Sequence, residues 1–232
     1  MGAILLVIVF LILLYTVIPY ILSRGLGLKV CKRGSDQEKI AFTFDDGPDP
    51  NYTPILLDLL KKNKVKATFF VVGYKAEKHP ELIKRMHQEG HLIGIHNYIH
   101  RSNWLMSPWK VRKGLEDTAK VIEHFTGEKP IFYRPPWGML NLLDFIKKGK
   151  YKIILWSIMA QDWRTSGGSD KIKHRLSNIK GGDVILLHDC GDTLGAEIEA
   201  PRNTINALKD VLKTVEKRGF TCVRVDDLVN DN

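Results

Sequence analysis

Five short clusters in this 232-residue chain combine residue types that can do chemistry: Thr43-Phe44-Asp45-Asp46-Gly47-Pro48, His96-Asn97-Tyr98-Ile99-His100, Arg134-Pro135-Pro136-Trp137-Gly138, Asp162-Trp163 and Ile185-Leu186-Leu187-His188-Asp189. The adjacent carboxylates of the first cluster can divide labour, one binding a metal and one taking a proton. Neighbouring strand residues point to opposite faces, but the Gly-Pro turn that follows can bring both into one cleft. Taken alone, the cluster reads equally well as a plain Asp-Gly turn. His96 and His100 stand at i and i+4, on one face of a helical turn, where they can share a metal. With Asp46 they make a His-His-carboxylate set, an open ligand set of catalytic metals.

The elements that must position these residues follow from hydrophobic patterning. Strands are expected over residues 40–44, 67–72, 92–95, 131–133, 151–156, 184–187 and 221–225. Helices are expected between them, over 52–63, 80–89, 108–125, 140–148 and 201–218. Gly90, Gly127, Gly149 and Gly219 sit just past helix ends, and Pro108 and Pro201 sit at helix starts, as capping chemistry prefers. Seven strands with mostly helical connections imply parallel pairing and an α/β architecture. A doubly wound sheet and a barrel both satisfy that pattern. Every cluster lies at, or in the loop after, a strand's C-terminal end, where barrels collect functional residues. That coincidence is stronger than any single motif.

The order and spacing of the five clusters resemble those of the polysaccharide deacetylases, also called the NodB-homology domain or carbohydrate esterase family four. The likeness covers about residues 38–228, on TFDDGP (43–48), HNYIH (96–100), RPPWG (134–138), DW (162–163) and ILLHD (185–189). It implies a distorted, incomplete (β/α) barrel of about seven parallel strands. It further implies that Asp46, His96 and His100 hold one divalent metal ion, usually zinc. By the same resemblance Asp45 is the general base oriented by Arg134, and His188 is the general acid tethered by Asp162. The backbone N–H of Trp137 would help hold the oxyanion, and Trp163 and Leu186 would line the acetyl methyl pocket. The implied activity is metal-dependent removal of N-acetyl groups from an N-acetylated glycan, peptidoglycan or chitin-like, releasing acetate. Two other readings stand beside it: a catalytically silent glycan-binding protein of the same fold, and a deacetylase of a non-sugar amide or sugar ester. Peptidoglycan is preferred on the membrane tether argued below and on family analogy.

The chain departs from the family pattern twice. Asn97 stands where Ser or Thr usually follows the first histidine; an amide can still hydrogen-bond, so metal binding is expected to survive. Trp137 stands where Tyr or Phe is commoner, and its larger ring is expected to narrow the groove.

The first 23 residues carry no charged side chain and include an unbroken apolar run over 4–14, with Tyr15 and Tyr20 beyond it. A helix of about 20 such residues spans a bilayer, and aromatic residues favour its interface. Residues 1–23 therefore read as a transmembrane anchor, or an uncleaved signal; a cleaved signal peptide is the rival, disfavoured by the missing charged n-region and small-residue cleavage site. Residues 24–38 read as a polar stalk and 39–232 as the catalytic domain. A domain acting on a wall polymer must face out, yet Arg24, Lys29, Lys32 and Arg33 all follow the apolar run, which by the positive-inside rule is contrary evidence. The net charge of +9 suits an anionic surface such as lipid headgroups or a wall polymer, or simply a solvated basic exterior. No nucleic-acid-binding motif and no obligate protein partner is evident. Cys31, Cys190 and Cys222 are odd in number and irregular in spacing, which excludes a disulfide framework and a thiolate zinc site. Cys190 follows His188-Asp189 and reads as a small apolar residue close to the active site.

Overall fold

The fold comes from a computed structural model that describes residues 2–146 and 150–229. Its strands are β1 (Lys39–Asp45), β2 (Thr68–Val71), β3 (Leu92–Ile95), β4 (Phe132–Tyr133), β5 (Lys152–Ile153), β6 (Ile158–Met159), β7 (Val184–His188) and β8 (Thr221–Cys222). Seven of them form one parallel sheet in the order β5-β4-β3-β2-β1-β7-β6, and β8 pairs with the start of β1. This is the incomplete parallel barrel that the resemblance implied. The helices are α1 (Gly2–Tyr15), α2 (Val17–Tyr20), α3 (Tyr52–Lys62), α4 (Gly73–Lys78), α5 (Pro80–Gln88), α6 (Pro108–Thr126), α7 (Leu142–Ile146), α8 (Gly168–Arg175), α9 (Ala200–Lys217) and α10 (Val225–Val229).

Side-chain alternation divides the core in two. Ile40, Phe42 and Phe44 of β1 face the helical layer with Leu56, Leu57, Ile185, Leu187 and Leu208. Ala41 points the other way, into the barrel, among Phe70, Phe132, Ile154, Val184 and Leu186. The period of two carries Thr43 and Asp45 to that inner side as well, so the strand aims a carboxylate into the barrel at its C-terminal end.

Two expected strands differ. The expected 151–156 strand is shortened to β5 at one edge of the sheet, and β6, just beyond the expected range, pairs with β7 at the other edge. The intervening backbone is taken by the N-terminal segment, where Cys31 bridges Ile154 in parallel and Arg33 bridges Asp183 antiparallel. Cys31 N–H donates to Ile153 (2.9 Å), and Leu155 N–H donates to Cys31 (2.8 Å). The expected 221–225 strand stops at Cys222, because Val225 opens α10 with its N–H on the Thr68 hydroxyl (3.0 Å). Helix α4 was not expected, nor was α8, in whose sequence only Ile172 is buried. Gly73 at the start of α4 has to be glycine, since a Cβ there would meet the Thr118 hydroxyl at 2.3 Å and Tyr98 at 2.6 Å. The tail of the expected 140–148 helix and its cap Gly149 include residues outside those described.

At the N-terminus, α1, α2 and a π-turn over Ile21–Gly25 form one helix, Gly2–Gly25, long and apolar enough to cross a membrane. A signal sequence would satisfy the same length and composition.

Candidate active site and metal centre

The site is built where β1, β3, β4 and β7 end together. Asp45 is the last residue of β1 and pairs in register with His188, the last of β7. Asp46 then turns into the left-handed region (φ 77°), a conformation that Asp tolerates better than most residues. This single kink sends the second carboxylate into the same cleft as the first. At Gly47 the approach of the Asp189 carboxylate leaves no space for a Cβ, which would stand 2.3 Å from it.

Asp46 meets both histidines: its Oδ1 lies 3.3 Å from His96 Nε2 and 3.2 Å from His100 Nε2. The three residues offer ligand atoms that all lie within 4.8 Å of one another. His96 Nδ1 sits 2.7 Å from the carbonyl of Arg134, which can only accept, so Nδ1 carries the proton and the Nε2 lone pair faces Asp46. Asp46 Oδ1 is buried with no hydrogen-bond partner among the described residues. A buried carboxylate oxygen facing two imidazole nitrogens has the donor chemistry of a divalent transition-metal site. Burial opposes the charge on Asp46, but contact with His96 and the neighbouring His100 and His188 outweigh it and hold the carboxyl far below the usual range. Burial lowers His100 to about 4, so its imidazole is neutral at pH 7, as a ligand must be.

Arg134 is fully buried and its donors are directed inward. Its Nη1 donates to Asp45 Oδ1 (2.7 Å) and to the Thr43 hydroxyl (2.7 Å). Nε and Nη2 donate to the carbonyls of Ile154 and Leu155, both at 3.1 Å. Its guanidinium also stacks 4.2 Å over the Phe70 ring. The fork thus fixes Asp45 from behind and leaves its other carboxylate oxygen 3.9 Å from His96 Nε2.

On the opposite wall, the His188 ring approaches Asp162 Oδ1 through Nδ1 (2.8 Å), and its backbone N–H donates to Asp162 Oδ2 (2.9 Å). The Thr204 hydroxyl of α9 donates to the same Oδ2 (2.8 Å). Burial would depress His188, but Asp162, Asp46 and Asp45 outweigh it and raise the imidazole to about 9. Asp45, Asp46, His96, His100, Trp137, Trp163, Leu186 and His188 line one cavity of ≈ 370 Å³. Trp137 has φ 56° in the turn Pro136–Gly138, and its ring lies 4.4 Å from that of His100. The Trp163 ring meets His188 edge-on at 5.9 Å. All ten residues singled out in the sequence therefore lie in this cavity or directly behind its wall.

Further neighbours carried no signal in the sequence. Thr193, in the loop after β7, donates to Asp46 Oδ2 (2.6 Å). Trp156, Met159 and Leu194 complete the cavity wall. Asn97 occupies the left-handed region (φ 61°), which disfavours the β-branched Thr but suits Asn. Its amide donates to Asn103 (2.8 Å) and accepts from the Tyr133 hydroxyl (2.9 Å), so it steadies the loop that carries His100. Cys190 is buried behind the site beside Lys75 Nζ (3.0 Å), and burial pushes its thiol well up, away from nucleophilic form.

The family model described as polysaccharide deacetylase matches residues 32–148. A peptidoglycan-N-acetylglucosamine deacetylase of Bacillus cereus is 37% identical over 201 residues, covering 84% of this chain and 90% of that one. The peptidoglycan-N-acetylmuramic acid deacetylase PdaA of Bacillus subtilis is 32% identical over 203 residues, 84% of this chain and 73% of its own. Among solved structures, the Bc1960 peptidoglycan N-acetylglucosamine deacetylase superposes with a TM-score of 0.81 at 30% identity, covering 90% of this chain and 96% of that one.

Proposed function

Because this chain belongs to the polysaccharide deacetylase family, and is thus a deacetylase of a family of metalloenzymes, we propose that its substrate is peptidoglycan and that it removes N-acetyl groups from the glycan's amino sugars with zinc as the metal. The observation that carries this reading is that the Asp46-His96-His100 triad shares one cavity with the register-paired Asp45 and His188.

Asp46, His96 and His100 would hold the ion, and a divalent cation there supplies a Lewis acid for the acetyl carbonyl and lowers the pKa of water from ~16 toward ~7. Asp45 takes a proton from the attacking water, and Arg134 keeps that carboxylate aimed. Trp137 offers its backbone N–H to the developing oxyanion; such a donor contributes on the order of 3 kcal/mol. Trp163 and Leu186 enclose the acetyl methyl group and exclude bulkier acyl chains. His188, held as imidazolium by Asp162, protonates the leaving nitrogen as the C–N bond breaks. Water and amide thus become acetate and a free amino sugar, and the two protons are accounted for by Asp45 and His188. The Gly2–Gly25 helix supports a membrane-anchored protein, and a wall substrate requires its catalytic domain to face out.

Purified wall peptidoglycan, N-acetylglucosamine oligomers and acetylated xylan offered side by side test the substrate. Faster acetate release from peptidoglycan supports the proposal; release confined to the xylan ester would replace it.

A further inference from the structure

The helix that would anchor the chain does not end where the folded domain begins. Residues 2–13 are exposed along their whole length, which at 1.5 Å per residue reaches only about 18 Å. A hydrocarbon core of about 30 Å needs roughly 20 residues. Residues from 14 onward must complete the span, yet these are the residues seated on the domain. The Tyr15 hydroxyl donates to the Met106 carbonyl (3.2 Å), and Tyr20 meets Trp104 edge-on at 5.9 Å. Thr16 and Ser23 are buried, and Arg24 stacks 4.2 Å over Trp156 in the wall of the catalytic cavity. The chain then continues directly into the Cys31–Ile154 bridge and an ion pair between Arg33 and Asp183. The connection is packed against the domain, so the depth of the helix sets the depth of the domain.

We propose that the segment following His100, from Arg101 through Lys110, is a membrane-docking face that lies in the interfacial layer of the bilayer. This inference rests on the anchor reading above. The face next to the helix carries Leu105 and Trp109, 71% and 74% exposed, an arrangement that costs free energy in water and gains it at a lipid interface. Exposed Arg101 and Lys110 line the adjoining groove, where they meet anionic headgroups. Ser107 caps α6 by accepting from Lys110 N–H, which fixes the turn between Leu105 and Trp109. The occupant is the lipid surface itself, because this face continues the helix that spans it. The catalytic cavity is consequently held at the bilayer surface, where it meets glycan next to the membrane, and does not sweep the wall on a flexible tether.

The full-length protein is reconstituted in phosphatidylcholine–phosphatidylglycerol vesicles whose acyl chains are brominated near the carbonyl, and tryptophan emission is recorded for wild type and Trp109→Phe. Trp109 is exposed whereas Trp104 is half-buried against Tyr20, so the substitution is expected to lower the bromine-dependent quenching. Unchanged acetate release from soluble oligomer shows that the variant is folded. Equal quenching in both proteins, with both resistant to carbonate extraction, overturns the docking face and leaves the anchor. Trp109 emission that answers to added glycan and not to bromolipid gives the face to substrate instead. Release of wild type by carbonate overturns the anchor and the docking face with it.

Discussion

Asp45 and His188 stand directly opposite each other across the β1–β7 ladder, each the last residue of its strand. One sheet register therefore sets the separation of the proposed proton acceptor and proton donor, with the candidate metal ligands entering from the neighbouring loops. Asp45→Asn keeps the shape and removes the basicity. It is expected to retain metal and to lose about 10²- to 10⁴-fold in kcat, the usual worth of a general base. Elemental analysis and steady-state kinetics on the same preparation check this; undiminished kcat would remove Asp45 as the base.

The metal triad gives a second expectation. His96→Ala should lose the ion, because it removes a ligand whose other nitrogen is already fixed on the Arg134 carbonyl. Thr193→Val removes only the hydroxyl on Asp46 Oδ2 and should weaken metal affinity about 10- to 100-fold, in the range of supporting hydrogen bonds at metal sites. Competition with a chelating dye measures both; unchanged affinity in Thr193→Val would confine that residue to the cavity wall.

Activity should fall on the alkaline side as His188 loses its proton. The acidic form is the donor, so turnover is present below the imidazole's pKa and is lost as pH rises through it. Asp162, Asp46 and Asp45 outweigh burial and set that pKa at about 9, and a bound cation moves it lower. Asp162→Asn withdraws the partner that favours the charged form and should shift the alkaline limb to lower pH. A pH–rate profile of the two enzymes decides it; coincident limbs would show that another group titrates.

Stability should have its own pH dependence through His91, which is buried and accepts the Ala67 N–H on Nδ1 (3.1 Å). Burial, with a lesser push from Lys66, lowers this imidazole from 6.5 to about 4. The unfolded chain thus binds more protons in that window. The contribution is complete above pH 6.5 and is lost progressively as pH falls toward 4, up to about 3 kcal/mol. Denaturant melts at pH 7 and pH 4.5 should separate for wild type and separate by less for His91→Gln, which has no proton to take up there, the remainder coming from groups such as His100; equal separation would place the effect elsewhere.

The fold was legible wherever a strand or helix is long and periodic. β1, β2, β3 and β7 show buried runs, and α6 and α9 carry proline at the first turn and long amphipathic faces. The apolar stretch over 151–156 misled because sheet pairing, not composition, ends its strand at Ile153: Cys31 takes the backbone of Ile153 and Leu155. Asp45, Asp46, His96, His100, Arg134 and His188 stood out because ionisable groups at the ends of apolar strands are conspicuous. Thr193 and Thr204 did not, since a hydroxyl in a loop or on a helix is ordinary until folding brings it to a carboxylate.

Acetate release from peptidoglycan by the full-length protein, before and after chelation and again after zinc is restored, tests the central claim most directly. The account predicts release that chelation abolishes and zinc restores in wild type, with no restoration in His96→Ala. Chelation-resistant release, or equal restoration in His96→Ala, would contradict a metal-dependent deacetylase built on Asp46, His96 and His100.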